Sequence, residues 1–428
     1  MNHDTNNAPP MAAATKSTID FKTGSWRFET PVFVEQLAPC TMVCPLGIDI
    51  PVTMSFVENN QLKEAYGKVI EENPFPGICG EICFHPCEKA CNRERFDQAV
   101  SIKDLEKYIA HSHGKTGFNL KRLKATSGKK VAVVGSGPAG FSCAYFLACL
   151  GHQVTMMESG PDLEIFMMAP ENKLSSKLIE QEVERIMSLG VELRTDTPKD
   201  DCLIENLAKE FNAVYVSQKA WASDSVEMGT SSLKNVYSTR ALFSRIKAGN
   251  PPVLADHPVI IAGGKNDSDA DYSKSIVRKI ASGKQAALVL DMSINNLSSE
   301  QIRQLSLGRM GSLSMETYQL NPSVSEIPRT HKVVQFQDLN PAYLKKSPRI
   351  TPSLPDNLFT QQDSQLSAER CFKCGKCTFC YNCYDYCPDL SIHMDAEQKQ
   401  RKIDYDYCKG CGICVQECPR AAIILTKG

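Results

Sequence analysis

The sequence lacks an excess of either charge: 48 lysines and arginines face 49 aspartates and glutamates, for a formal net charge of −1. That balance leaves no basic stripe for nucleic acid. No apolar run approaches the length that spans a bilayer. The opening MNHDTNNAPPMAAATKST lacks the apolar core of a signal peptide, so residues 1–25 are expected to form a disordered tail. No His/Asp/Ser set and no pair of carboxylates stands in a catalytic pattern, and the only internal repeat lies near the C-terminus. What the chain has in abundance is cysteine, nineteen in 428 residues. In a large chain without a signal sequence that points to metal clusters in a reducing cytoplasm rather than to disulfides. The length allows two to four domains.

The repeat is a cysteine run. Cys377, Cys380 and Cys383 are followed by Cys387 and Pro388; Cys408, Cys411 and Cys414 are followed by Cys418 and Pro419. This spacing is that of the bacterial ferredoxin run for two [4Fe–4S] clusters, in which the fourth cysteine of each run serves the other cluster. One set is therefore Cys377, Cys380, Cys383 and Cys418. The other is Cys408, Cys411, Cys414 and Cys387. Zinc is the competing reading of paired CxxC motifs, but two complete runs, each ending in proline, disfavour it.

Upstream, a helix is expected over Val52–Glu72, with Met54, Val57, Leu62, Ala65, Tyr66 and Val69 on its buried face. Cys40 and Cys44 precede it; Cys79, Cys83, Cys87 and Cys91 follow at four-residue steps. One helix would put those four on a single face, but Gly80 and Pro86 argue for a loop wrapped on a cluster.

Next, an apolar strand (Val131–Val134) runs into Gly135, Gly137 and Gly140, then a helix to about Gly151 and a second strand (Gln153–Met157) ending at Glu158. Strand, glycine turn, helix and acidic strand end make the dinucleotide-binding fingerprint. The glycines admit a pyrophosphate at the helix N-terminus, and Glu158 stands where a ribose hydroxyl would bind. A helix over Ser176–Leu189, a strand over Val191–Thr195 and further αβ sequence to Val216 follow. Then come a strand, a Gly263-Gly264 turn, and a helix turning Ile276, Ile280, Ala286 and Leu288 inward. Residues 292–370, rich in Ser, Pro, Asn and Gln, read as a strap.

CGEICFHPCEKACNR, VAVVGSGPAG, the AGG…IASGKQAA segment and DYDYCKGCGICVQECP together resemble the glutamate synthase small-subunit family and its ferredoxin-ended relatives. The resemblance runs from about Ala38 to the end. It implies a multidomain α/β chain: a helical iron–sulfur domain (26–125), a reduced Rossmann-like FAD-binding domain (126–291), a linker (292–365) and an α+β ferredoxin-like domain (366–428). It implies FAD held by Gly135, Gly137, Ala139, Gly140 and Glu158, and by Gly263, Gly264 and Lys265. Lys265 replaces the Asp of the family's closing segment, and PDLEIFMMAP lacks the family's Gly-Gly stretch. Too little sequence separates Ala222 from His257 for a βαβ unit, so the family's NAD(P) domain is expected to be missing.

The family's N-terminal domain opens with a CxxC pair that this chain lacks, while Cys371 and Cys374 are spare in AERCFKCGKC. Setting aside Cys143, Cys149 and Cys202 leaves four sets of four. One arrangement folds Cys371 and Cys374 back to Cys40 and Cys91 and leaves Cys44, Cys79, Cys83 and Cys87 as another set. In the alternative, Cys371 and Cys374 are free and the N-terminal domain keeps one cluster. Cys143 and Cys149 read as core residues, His85 as packing beside ligands, and His111 and His113 as solvated. Arg370, Lys373 and Lys376 can dock an acidic partner, raise a cluster potential or form ordinary charged surface.

The expected function is an electron-transfer subunit of a cytoplasmic oxidoreductase. It would relay electrons through several [4Fe–4S] clusters, with FAD as a junction, to or from a catalytic subunit or a ferredoxin. The alternatives are a self-sufficient NAD(P)H:acceptor oxidoreductase and a cluster-bearing scaffold with an empty flavin fold.

Overall fold

The computed structural model describes residues 22–113, 126–167, 174–197, 203–217, 236–239, 258–261, 276–295 and 329–427, with Ser244, Arg245, Ser314, Met315 and Tyr318. Of the disordered tail expected over residues 1–25, residues 1–21 fall outside them, as do the Gly263-Gly264 turn with Lys265 and Cys202; its described end is ordered instead, with Thr23–Trp26 forming a 3-10 turn and the Thr23 hydroxyl donating to the Tyr407 carbonyl at 2.6 Å.

The helical region opens with two strands, β1 (Glu29–Phe33) and β2 (Glu35–Leu37), and a short helix α1 (Pro39–Val43). The helix expected over Val52–Glu72 is two helices, α2 (Ile50–Glu58) and α3 (Leu62–Ile70). Asp49 caps the first by accepting from the Val52 N–H. The break lies at Asn60, whose φ of 56° is left-handed; asparagine is among the few residues that adopt it at low cost. The bend lets Met54 and Val57 of one helix and Ala65, Tyr66 and Val69 of the other share one core. The cysteine stretch also differs from the loop expected. It forms α4 (Pro76–Ile82) and α5 (Pro86–Lys89), each opened by a proline and separated at His85, φ 49°. A longer helix, α6 (Ile102–His113), follows.

The central region is an α/β layer. Its elements are β3 (Lys130–Val134), α7 (Pro138–Cys149), β4 (Gln153–Met157), α8 (Glu164–Met167), α9 (Ser176–Met187), β5 (Glu192–Arg194), α10 (Leu203–Glu210), β6 (Ala213–Val216), β7 (Val236–Ser238), β8 (Val259–Ile261) and α11 (Ile276–Ile294). The strands lie in the order β5-β4-β3-β6-β8-β7, all parallel. β3, β4 and β6 bury four consecutive residues each, as a parallel strand covered on both faces must. The strand order reverses at β3, so its C-terminal end is the switch point where such sheets bind ligands.

Two glycines set the packing here. A Cβ on Gly140 would overlap the Gly135 carbonyl, and one on Gly283 would overlap the carbonyl of Ala139, so α11 lies directly on α7. Gly283→Ala is therefore expected to destabilise the chain by about 1–3 kcal/mol. Gly160→Ala, where the nearest neighbour is 4.0 Å away, should leave the midpoint of a denaturant titration unchanged.

The last region starts with β9 (Arg329–Val333) and α12 (Gln361–Glu369), the latter capped by Thr360, whose Oγ accepts from the Asp363 N–H at 3.0 Å. Then come α13 (Asn382–Asp385), β10 (Ile392–Asp395), β11 (Gln400–Ile403), α14 (Ile413–Gln416) and β12 (Ile423–Lys427). β10 and β11 form an antiparallel hairpin. The ferredoxin part is not closed by its own strands alone: β12 pairs antiparallel with β1, and Phe33 enters its core beside Ile392, Ile403 and Ile423. The described part of the expected strap is also built in, since β9 pairs with β2 and α12 packs on α2 and α6. The sequence places residues 26–33 with the helical domain; the structure gives that strand to the ferredoxin part.

Candidate metal centres

The ferredoxin run makes two sulfur-rimmed spaces. Counting the openings to solvent, one of about 310 Å³ is lined by Cys377, Cys380, Cys383 and Cys418. The other, about 300 Å³, is lined by Cys387, Cys408, Cys411 and Cys414. Short helices and left-handed residues shape both: Phe379, Tyr381, Gly410 and Gly412 have positive φ, which turns successive N–H groups inward as an anion-binding nest. The Ala422 N–H lies 3.3 Å from the Cys418 sulfur.

The helical region holds a third space, of about 520 Å³, lined by Cys44, Cys79, Cys83 and Cys87 together with Glu106, and by Val277 from α11. Burial pushes the Cys44 thiol up, and backbone N–H groups of Ile48, Leu46 and Gly47 oppose it. The Glu106 carboxyl is pushed up to about 7 by burial, against a hydrogen bond from Asn73. Cys40 lies within electrostatic reach of Cys91, Cys371, Cys374 and Cys87.

Among the described residues, no three His, Cys, Asp or Glu side chains are close enough to share one metal ion. Tetrahedral zinc with Zn–S near 2.3 Å draws its thiolates to about 3.8 Å from one another. Four cysteines around each space, with backbone N–H groups reaching their sulfurs, suit a four-iron cube.

The remaining candidates resolve differently. Cys143 and Cys149 are buried on α7 in the main core. His111 lies 3.6 Å from Glu81. Arg370, Lys373 and Lys376 are neither a docking patch nor ordinary surface. Arg370 is 4% exposed and donates to the carbonyls of Ala99 (3.1 Å) and Gln98 (2.8 Å). Lys373 pairs with Glu58, and Lys376 with Asp49 at 2.9 Å. All three tie the start of the ferredoxin run to the helical region, a role that short-range sequence reading cannot see.

The glycine loop has the backbone of a dinucleotide site: Gly135 has φ 104°, and Gly140 permits the close turn. Glu158 is engaged by the loop itself. One carboxylate oxygen accepts from the Ser136 N–H (2.9 Å) and hydroxyl (2.6 Å), the other from the N–H and hydroxyl of Ser159. The sequence reading missed Glu164, although its signal was the PDLEIFMMAP departure. Its carboxylate stands 2.9 Å from where a Gly137 Cβ would be, in the mouth a pyrophosphate would enter. The loop fits FAD once that side chain swings aside. Glu164→Gln, which removes the repelling charge, is expected to raise the flavin retained per chain several-fold, read from flavin released on acid precipitation.

Three family models match: dihydropyrimidine dehydrogenase domain II, 4Fe-4S cluster, over residues 35–118; pyridine nucleotide-disulphide oxidoreductase over 105–268; and 4Fe-4S binding domain over 401–424. The chain is 30% identical over 241 residues to the NADPH-Fe(3+) oxidoreductase subunit beta of Geobacter sulfurreducens, covering 54% of this chain and 36% of that protein. It is 28% identical over 271 residues to the NADP(+)-dependent formate dehydrogenase subunit beta of Moorella thermoacetica, covering 56% and 38%. It is 34% identical over 180 residues to the small chain of glutamate synthase [NADPH] of Bacillus subtilis, covering 41% and 36%. The aligned part is thus little more than a third of each of these curated relatives. The chain is thus similar, over part of its length, to the glutamate synthase small chain and to the NADPH-Fe(3+) oxidoreductase beta subunit, and its 4Fe-4S family matches lie on either side of its pyridine nucleotide-disulphide oxidoreductase match.

Proposed function

We propose that this chain is an electron-transfer subunit of a cytoplasmic oxidoreductase complex, without a nicotinamide site of its own. The observation that carries it is the set of sulfur-rimmed spaces built into one connected body. Cys377, Cys380, Cys383 and Cys418 would hold one [4Fe–4S] cluster, Cys387, Cys408, Cys411 and Cys414 a second, and Cys44, Cys79, Cys83 and Cys87 a third. When bound, such clusters exchange single electrons and FAD exchanges two, so the pair converts hydride-type into one-electron chemistry. The chain's own residues supply position, insulation and tuning. Phe33, Ile392, Ile403 and Ile423 exclude water beside the ferredoxin sets, and N–H groups aimed at sulfur favour the reduced, more negative state.

The expectation of a missing nicotinamide site rests on the sequence, where the stretch between Ala222 and His257 is too short for a βαβ unit with its connections. Every described cysteine is free, which suits a reducing compartment, and no helix among the described residues is long and apolar enough to cross a membrane. Several relatives are named as subunits, which supports a catalytic partner.

The test is cofactor analysis of the chain purified anaerobically. Iron and acid-labile sulfide in equal amounts, with the paramagnetic signals of reduced [4Fe–4S] clusters, are expected. Stoichiometric zinc, or iron without sulfide, would contradict the reading.

A further inference from the structure

We propose that Cys40, Cys91, Cys371 and Cys374 form a fourth [4Fe–4S] site, completed by two cysteines from the far end of the chain, and that this site staples the ferredoxin part to the helical region. The proposal rests on the electron-relay reading above. No matched family segment reaches Cys371 or Cys374, which lie between residues 268 and 401.

The four come from three places in the chain. Cys40 sits in α1, Cys91 opens the 3-10 turn Asn92–Arg95, and Cys371 and Cys374 follow the end of α12. The Asn92 side-chain amide bridges them, donating to the Val334 carbonyl at 3.0 Å and to the Cys374 sulfur at 3.4 Å. The Lys373 N–H donates to the Cys371 sulfur at 3.4 Å. N–H groups of Val100, Arg93 and Glu94 act on Cys91. Donors aimed at sulfur stabilise thiolates; neutral thiols packed as core residues have little use for them. Cys91, Cys371 and Cys374 lie within electrostatic reach of one another as well as of Cys40.

The segment that delivers Cys371 and Cys374 is fixed on both flanks. Arg93 donates to the Arg370 carbonyl at 2.6 Å, while the Arg370 guanidinium returns to Ala99 and Gln98. The Gly375 N–H reaches the Arg420 carbonyl at 2.7 Å and its carbonyl accepts from Gln36 at 3.2 Å. Gly375 itself has φ +75°, and a Cβ there would overlap the Gln36 carbonyl. A loop held this way presents its thiols in a fixed geometry, as a rigid metal site requires.

Neighbouring sets also share short pieces of chain. Cys40 lies in the first helix and Cys44 at its C-terminal end, and Cys374 is separated from Cys377 by three residue steps, about 10 Å at full extension. The proposed site therefore joins the helical set to the ferredoxin sets in a continuous file.

The experiment measures iron and acid-labile sulfide in the full chain purified anaerobically, beside Cys371→Ser/Cys374→Ser and Cys143→Ser variants. About sixteen iron per chain is expected in the unaltered protein and about twelve in the double variant. Cys143→Ser should match the unaltered protein. A count of about twelve that the double variant does not lower overturns the fourth site and leaves the relay reading standing. Iron without sulfide contradicts the relay reading itself. The unaltered count needs no substitution, so it decides the question even if the double variant does not fold.

Discussion

Lys284→Met is expected to cost about 3–5 kcal/mol, because it strands a buried carboxylate. Lys284 lies on α11 and Glu72 just beyond α3, and their side chains are 1% and 2% exposed. They form an ion pair across the joint between the α/β layer and the helical region. Lys284 also donates to the Leu46 carbonyl at 2.6 Å, and its ammonium lies over the Phe146 ring. Glu72 accepts from the Ser314 hydroxyl at 2.8 Å and the Met315 N–H at 3.0 Å. Those bonds cannot replace a lost cation in a dry interior. The double variant Glu72→Leu/Lys284→Met removes both charges and should recover most of the loss. Denaturant midpoints of the two single variants and the double one give the coupling energy. A single-variant cost under about 1 kcal/mol would mean the pair does not hold the joint.

Arg370→Met is expected to loosen the other joint. It removes donors from Ala99, Gln98 and Ser347, whose Oγ and carbonyl accept at 3.3 and 3.2 Å, and it breaks the pair with Asp97. Each buried acceptor left unpaired costs about 1–3 kcal/mol. Arg93, also bonded to Asp97, keeps part of the network. A stability loss on the order of 3 kcal/mol should appear with faster proteolysis near residues 371–376. By contrast, Lys22→Ala breaks a pair with Asp406 whose side chains are 66% and 58% exposed. Such pairs contribute little, and neither readout should change. Equal sensitivity in the two variants would contradict the staple.

What was legible in the sequence were the motifs whose parts lie close together. The ferredoxin run and the glycine fingerprint each fix their chemistry within a few dozen residues, and β3, α7 and β4 fall where their apolar runs and glycines put them. The break at Asn60 was hidden because the apolar period continues on both sides of one left-handed residue. The pairing of β1 with β12 and of β2 with β9 was hidden for another reason. Strands joined across almost the whole chain leave no local signal, only a match of apolar faces. Arg370, Lys373 and Lys376 read as surface charge because their partners, Asp97, Glu58 and Asp49, are hundreds of residues away. Cysteine was the exception to that limit. A missing pair at one end and a spare pair at the other can be counted without knowing the fold, and Asn92, next to Cys91, donates to the Cys374 sulfur.

The most direct test of the account is an anaerobic reductive titration of the isolated chain, followed by the loss of cluster absorbance. Dithionite should bleach the clusters fully, while NADH and NADPH, with no partner present, should leave them oxidised. Stoichiometric bleaching by either nucleotide would show that a working nicotinamide site remains in this chain and would contradict the relay described here.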